Sequence, residues 1–193
     1  MGKVVSIFLF QPPEVPTPIQ NGDYFWLRTS LGSRIPAFYI RQPQARYTVL
    51  YSHGNAEDLG MIYEYLSELS KLLYINIMSY DYSGYGLGIM LRENRERDIE
   101  PSESNCYADI EAAYRYLIEV EGINVEHIIL YGRSIGSGPS CFLAKRVEKA
   151  RGSNFGGLIL HSPFLSVCRI VIDMGFSLYS DFFPNVQRIK HVR

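Results

Sequence analysis

Six short runs rich in β-branched and aromatic residues punctuate this 193-residue chain, and from the third onward helix-length segments separate them. Tyr24 to Ser30 and Ile35 to Arg41 flank Leu31-Gly32-Ser33-Arg34, the pattern of a hairpin. Tyr47 to Ser52, Ile75 to Tyr80, His127 to Tyr131 and Leu158 to His161 are each too short for a helix, and each stops at a polar or glycine-containing turn. Strands joined in this way by helices run parallel. The spacing therefore predicts an α/β protein: a mostly parallel sheet with helices on both faces.

The intervening segments carry the matching signals. Leu59, Ile62, Leu66, Leu69 and Leu73 recur at helical spacing, as do Cys106, Ile110, Ala113, Leu117 and Val120 after the start signal at Pro101-Ser102. Ser137 to Lys149 reads as a third helix, and the mixed charges of Arg92 to Glu100 read as a solvated loop. Apolar residues make up 47% and charged residues 20%, enough for one packed domain. A net charge of −1 with no basic stripe argues against a nucleic-acid partner. The three cysteines, Cys106, Cys141 and Cys168, are widely spaced and form no Cys/His ligand pattern. Reduced thiols and a cytoplasmic setting are expected, with neither a metal nor an organic cofactor implied.

One motif carries chemistry. Gly132-Arg133-Ser134-Ile135-Gly136 is a G-x-S-x-G string directly after an apolar strand and directly before a helix. In that context it forms a sharp elbow that lifts a serine hydroxyl above the carboxyl edge of a sheet, as in the α/β-hydrolase fold. Ser134 is the expected nucleophile, and Gly132 and Gly136 supply the room for the turn. An acyl-transfer serine also needs two N–H groups aimed at the developing oxyanion. The N–H of Ile135 is the first. The second is expected from His53-Gly54-Asn55-Ala56, after the third strand: Asn55 by preference, Ala56 as runner-up. His53 and Gly54 are read as structural support beneath the site.

These strings resemble one family in order along the chain. Tyr51 to Gly60, Tyr80-Asp81-Tyr82-Ser83-Gly84-Tyr85-Gly86, Pro101 to Asn105, Gly132 to Pro139 and Leu158 to Phe164 are similar to the α/β-hydrolase domain-containing protein 17 group. The resemblance implies a serine hydrolase that removes palmitoyl groups from membrane-associated proteins, with a fatty-acylated protein or lipid ester as substrate. Two rival readings stand beside it: an esterase or lipase acting on small lipid esters, and a catalytically incomplete hydrolase-like binding protein.

The chain also departs from the family pattern. The family's animal members carry a lipidated N-terminal cysteine cluster, whereas no cysteine precedes Cys106 here. Residues 1–20 are expected to form an N-terminal segment and possible membrane anchor ahead of a hydrolase domain over 21–193. Met1-Gly2-Lys3-Val4-Val5-Ser6 fits the N-myristoylation pattern, and Ile7-Phe8-Leu9-Phe10 is a candidate second contact for a peripheral site on the cytosolic face of a membrane. Leu87 to Glu100 is longer than the family's connection. The family's acid and base follow a seventh and an eighth strand, and the sequence ends at Arg193, before either. The C-terminal strands are therefore expected to be missing. His127, His161 and His191 are weak substitutes for the base, and Asp173 and Asp181 for the acid. Phe164, Leu165, Ile170, Val171, Met174, Phe176, Leu178, Phe182 and Phe183 are read either as an acyl groove or as core packing.

Overall fold

The computed structural model describes residues 9–19, 24–88, 100–151, 155–166 and 182–190. Six strands form in the order of the apolar runs: β1 (Phe25–Arg28), β2 (Arg34–Ile40), β3 (Thr48–Ser52), β4 (Asn76–Tyr80), β5 (Ile128–Arg133) and β6 (Gly157–His161). They lie side by side in one sheet in the order β1-β2-β4-β3-β5-β6. β1 and β2 pair antiparallel through the predicted hairpin, whose turn places Gly32 at φ +90°. β2 pairs antiparallel with β4, while β4, β3, β5 and β6 are parallel neighbours.

Among the described residues, four α-helices accompany the sheet: α1 (Leu59–Leu73), α2 (Glu103–Arg115), α3 (Ser137–Arg151) and the short α4 (Asn185–Ile189). α1 starts where predicted because the Asp58 carboxylate caps it, accepting from Met61 N at 3.0 Å. Ser102 caps α2 in the same way, accepting from Asn105 N at 3.2 Å. α2 then widens into a π turn over Tyr116–Val120, which the apolar periodicity had not signalled.

The two faces bury different residues. α1 packs Leu59, Ile62 and Leu66 against Phe38, Val49, Tyr51 and Ile77. The opposite face collects Ile110, Leu117, Leu143 and Val147 from α2 and α3 against Leu50, Met78, Ile128 and Leu130. The chain leaves β3 for a helix on one face and β5 for a helix on the other. In an open parallel sheet, that divergence opens a crevice beyond the carboxyl ends of β3 and β5.

Two expectations change. Phe10 is 5% exposed and packs edge-to-face on Phe183, so it belongs to the core and is not available as a membrane contact. Phe183 is itself fully buried, so it packs the core rather than lining a groove. Residues 1–8, 89–99 and 167–181 lie outside the described residues, and with them the Met1-to-Ser6 start, most of the charged loop, Cys168, Asp173 and Asp181. His191 does too. Among the described residues no helix is long and apolar enough to cross a membrane.

The turn after β4 is more than a glycine-rich loop. The fully buried Asp109 of α2 accepts from both the N–H and the hydroxyl of Ser83, each at 2.7 Å. Burial nevertheless pushes its carboxyl up to about 7, against the pull of those two bonds. A carboxyl raised on folding contributes stability below its unfolded value, near 4, and that contribution is lost as pH rises through about 7. Asp109→Asn keeps an acceptor for the Ser83 N–H and a donor for its oxygen. It is expected to shrink the fall in urea stability between pH 5 and pH 8.

Candidate active site

β5 runs two residues further than its apolar pattern, because Ser52 of β3 pairs in register with Gly132. The strand ends abruptly at Ser134, whose φ of +50° places a non-glycine residue in the left-handed region. That conformation costs roughly 1–2 kcal/mol for an L-residue. A single 3₁₀ turn, Ser134–Gly136, then leads into α3.

The two glycines explain how such a bend closes. A Cβ on Gly132 would stand 2.5 Å from the carbonyl oxygen of Gly136. A Cβ on Gly136 would be driven into the carbonyl oxygen of Ser52 and to 2.8 Å from that of His53. The elbow is thus wedged against the end of β3. Ser134 is half-buried, whereas Ile135 behind it is buried. The first N–H groups of a helix have no partner within it and carry its partial positive charge, and α3 begins within three residues of Ser134.

The loop after β3 is fixed from several sides. His53 is fully buried, and its Nδ1 lies 2.8 Å from Gly54 O. A carbonyl can only accept, so Nδ1 carries the proton. That bond holds the Gly54–Asn55 peptide plane, whose N–H is the expected oxyanion donor of Asn55. The His53 Nε2 faces Asp81 Oδ1 at 3.4 Å. Burial raises the Asp81 carboxyl above the usual carboxylate range, with His53 pulling the other way. Tyr82 donates its hydroxyl to His53 O at 2.7 Å.

The Asn55 side chain is held just as firmly. Its amide donates to Leu9 O at 2.8 Å, and its carbonyl accepts from Gln11 N at 3.0 Å and the Tyr85 hydroxyl at 2.7 Å. Asp58 accepts from Thr17 N at 2.7 Å. Residues 9–19 therefore form a strap across this loop. Ala56, the alternative donor, is exposed at φ +55°.

Among the described residues, neither of the other two histidines is hydrogen-bonded to the elbow. His127 is in a 3₁₀ turn at the opposite end of β5. His161 stands level with Arg133 across the β5–β6 ladder, but its Nδ1 points back to the Tyr131 hydroxyl at 3.1 Å. Sequence reasoning missed four residues that hold the site. Ser137 donates its hydroxyl to Ser134 O at 2.6 Å, and Asn185 of α4 donates to Ser137 Oγ and to Phe164 O, both at 3.0 Å. Glu57 and Arg133 form an ion pair between the loop and the elbow. None of these contacts leaves a local periodic signal.

A mostly parallel sheet in this order, with a left-handed serine at the strand-to-helix bend beside the β3 loop, defines an α/β hydrolase fold. Solved structures agree: an alpha-beta hydrolase from Vibrio vulnificus superposes with a TM-score of 0.63 at 20% identity, covering 88% of this chain and 55% of that one. An esterase of the bacterial hormone-sensitive lipase family gives 0.55 at 19% identity, covering 86% and 50%. At such identities the likeness is one of fold. No protein-family model matches the chain. Sequence relatives are nearer. Alpha/beta hydrolase domain-containing protein 17B is 43% identical in Xenopus tropicalis and 42% identical in Homo sapiens, in each case over 87% of this chain and 54% of the relative. Protein 17C of Mus musculus is 40% identical over 88% of this chain and 49% of its own length. The chain spans about half the length of the curated relatives it matches. Over that half, it belongs to the alpha/beta hydrolase domain-containing protein 17 family.

The strained bend yields a paired expectation. Ser134→Gly should raise the unfolding free energy by about 1 kcal/mol in urea denaturation, since glycine adopts positive φ without the Cβ clash. Gly136→Ala should lower it by more than about 3 kcal/mol, because backbone carbonyls cannot yield to the methyl group.

Proposed function

We propose that this family member is a serine hydrolase of acyl thioesters and esters, and that it acts through an acyl-enzyme on Ser134. The observation that carries this reading is the left-handed Ser134, wedged by Gly136 against the carbonyls of the β3 loop. That strain serves no packing purpose of its own. In this reading it holds the Ser134 hydroxyl ready for substrate, with the N–H groups of Ile135 and Asn55 as oxyanion donors.

In this reading the Ser134 oxygen attacks the acyl carbonyl carbon while a histidine takes its proton. The negative charge moves to the carbonyl oxygen, which accepts from the Ile135 and Asn55 N–H groups. The tetrahedral species collapses, the bond to the leaving sulfur or oxygen breaks, and the histidine returns the proton to that atom. Water then repeats the sequence on the acyl-serine and frees the fatty acid. Of the described histidines, His53 is engaged with Gly54 and Asp81, and His161 with Tyr131. The base and its acid are therefore assigned to residues other than these.

For the substrate, the resemblance favours a fatty-acylated protein at the cytosolic face of a membrane. The fold neighbours described as esterases favour the second reading, a carboxylesterase of small lipid esters. Competition between a palmitoylated peptide and a monoacylglycerol separates the two.

The 193-residue chain is expected to turn over a p-nitrophenyl ester or acyl thioester only at the residual rate of a triad lacking its base, roughly 10³- to 10⁴-fold above water. Robust turnover that disappears in Ser134→Ala would place the base among these residues and overturn that assignment. A normal rate that survives Ser134→Ala would overturn the serine mechanism.

A further inference from the structure

Between the two halves of the site lies one carboxylate that the mechanism above does not use. Glu57 Oε2 accepts the backbone N–H of Gly54 at 2.7 Å, and its Oε1 pairs with Nη1 of Arg133. Gly54 immediately precedes Asn55, and Arg133 immediately precedes Ser134. Glu57 is sheltered, its side chain 17% exposed, while that of Arg133 is 42% exposed. A Cβ on Gly54 would fall 2.8 Å from Glu57 Oε2 and 3.7 Å from Arg133 Nη1, so all three groups converge on one point.

Gly54 is the softest link in this loop, because glycine has the widest choice of φ and ψ. Its carbonyl is gripped by His53 and its N–H by Glu57, one on each side of its Cα. The two bonds together fix the rotation that aims the next N–H, that of Asn55. The Glu57 bond is charge-assisted and therefore stronger than a neutral one, and the Arg133 guanidinium, donating to the same carboxylate, ties Glu57 to the elbow.

From this geometry we infer that Glu57 and Arg133 are positioning residues, a charged bridge that sets the distance between the Asn55 oxyanion donor and the Ser134 nucleophile. The inference rests on the serine-hydrolase reading of Ser134. An oxyanion donor is useful only when it stands where the charge will develop, and a displacement near 1 Å lowers the rate by about 10²-fold. The bridge touches neither substrate nor the reacting atoms, so its loss should appear in kcat and not in KM.

The test compares Glu57→Ala, Glu57→Gln, Arg133→Gln and the Glu57→Ala/Arg133→Gln double variant with wild type in the full chain, with Ser134→Ala as the reference. Amide exchange at Gly54 is measured by NMR on each folded variant. Expected are a kcat lowered roughly 10- to 100-fold at unchanged KM in Glu57→Ala and a smaller loss in Arg133→Gln. The double variant should be no worse than Glu57→Ala, because both changes break one bridge. Glu57→Gln retains an oxygen for Gly54 and should recover part of the rate. Gly54 exchange should quicken at least tenfold in Glu57→Ala. Wild-type kcat in the single variants, additive losses, a change confined to KM or an unchanged Gly54 amide would each overturn the bridge while leaving Ser134 in place. Turnover well above the residual rate that survives Ser134→Ala would remove the reading beneath it, and the bridge's catalytic role with it.

Discussion

The site depends on a steric exclusion, the absence of any atom beyond Cα at Gly136. That vacancy lets the turn after β5 press against the carbonyls of Ser52 and His53, and only this approach brings Ser134 beside the β3 loop. The strain in the Ser134 backbone is tolerated because the surroundings over-determine it. The strand ladder holds one side, with Ser52 level with Gly132, and the Asn185–Ser137–Ser134 hydrogen-bond chain holds the other. Ser134 thus carries backbone strain that its surroundings hold in place.

Around the elbow, the protein invests its buried polar groups in the loop opposite. Asp81, His53, Tyr82 and Tyr85 are all within the interior, and each touches that loop or a residue that does. Each hydrogen bond made there narrows the loop toward one geometry where an apolar core would permit several. The aromatic richness of the Tyr80-to-Tyr85 stretch follows from this. Tyr80 and Tyr82 pack edge-to-face, as do Tyr82 and Tyr85, filling space while delivering hydroxyls to Ser52, His53 and Asn55.

Much of the architecture was legible in the chain because it is written in local periods. The helix over Leu59–Leu73 has both a heptad-like stripe and a capping aspartate, and its limits could be read directly. Ser134 stood out because strand, turn and helix signals converge on five residues. What escaped is long-range and polar. Asn55 meets Leu9 and Gln11 across more than forty residues, Ser83 meets Asp109, and Glu57 meets Arg133. Such pairs need no periodicity, only a fold that brings them together. Phe10 misled for the opposite reason: an apolar run near a terminus looks alike whether it is destined for lipid or for the interior, and here its ring is buried beside Phe183.

That last contact joins two residues far apart in the sequence. Phe10 rests on Phe183, and Phe183 in turn meets Tyr107 and Phe164. Contacts between residues so distant in the chain close a very large loop, and they form late because the entropy of closure must be overcome first. On a ribosome, the strap that grips Asn55 emerges well before Phe183 and lacks its aromatic seat until that residue has been made. The bend that bears the Ser134 hydroxyl and the loop that faces it therefore come under full mechanical constraint only after Phe10 and Phe183 have met.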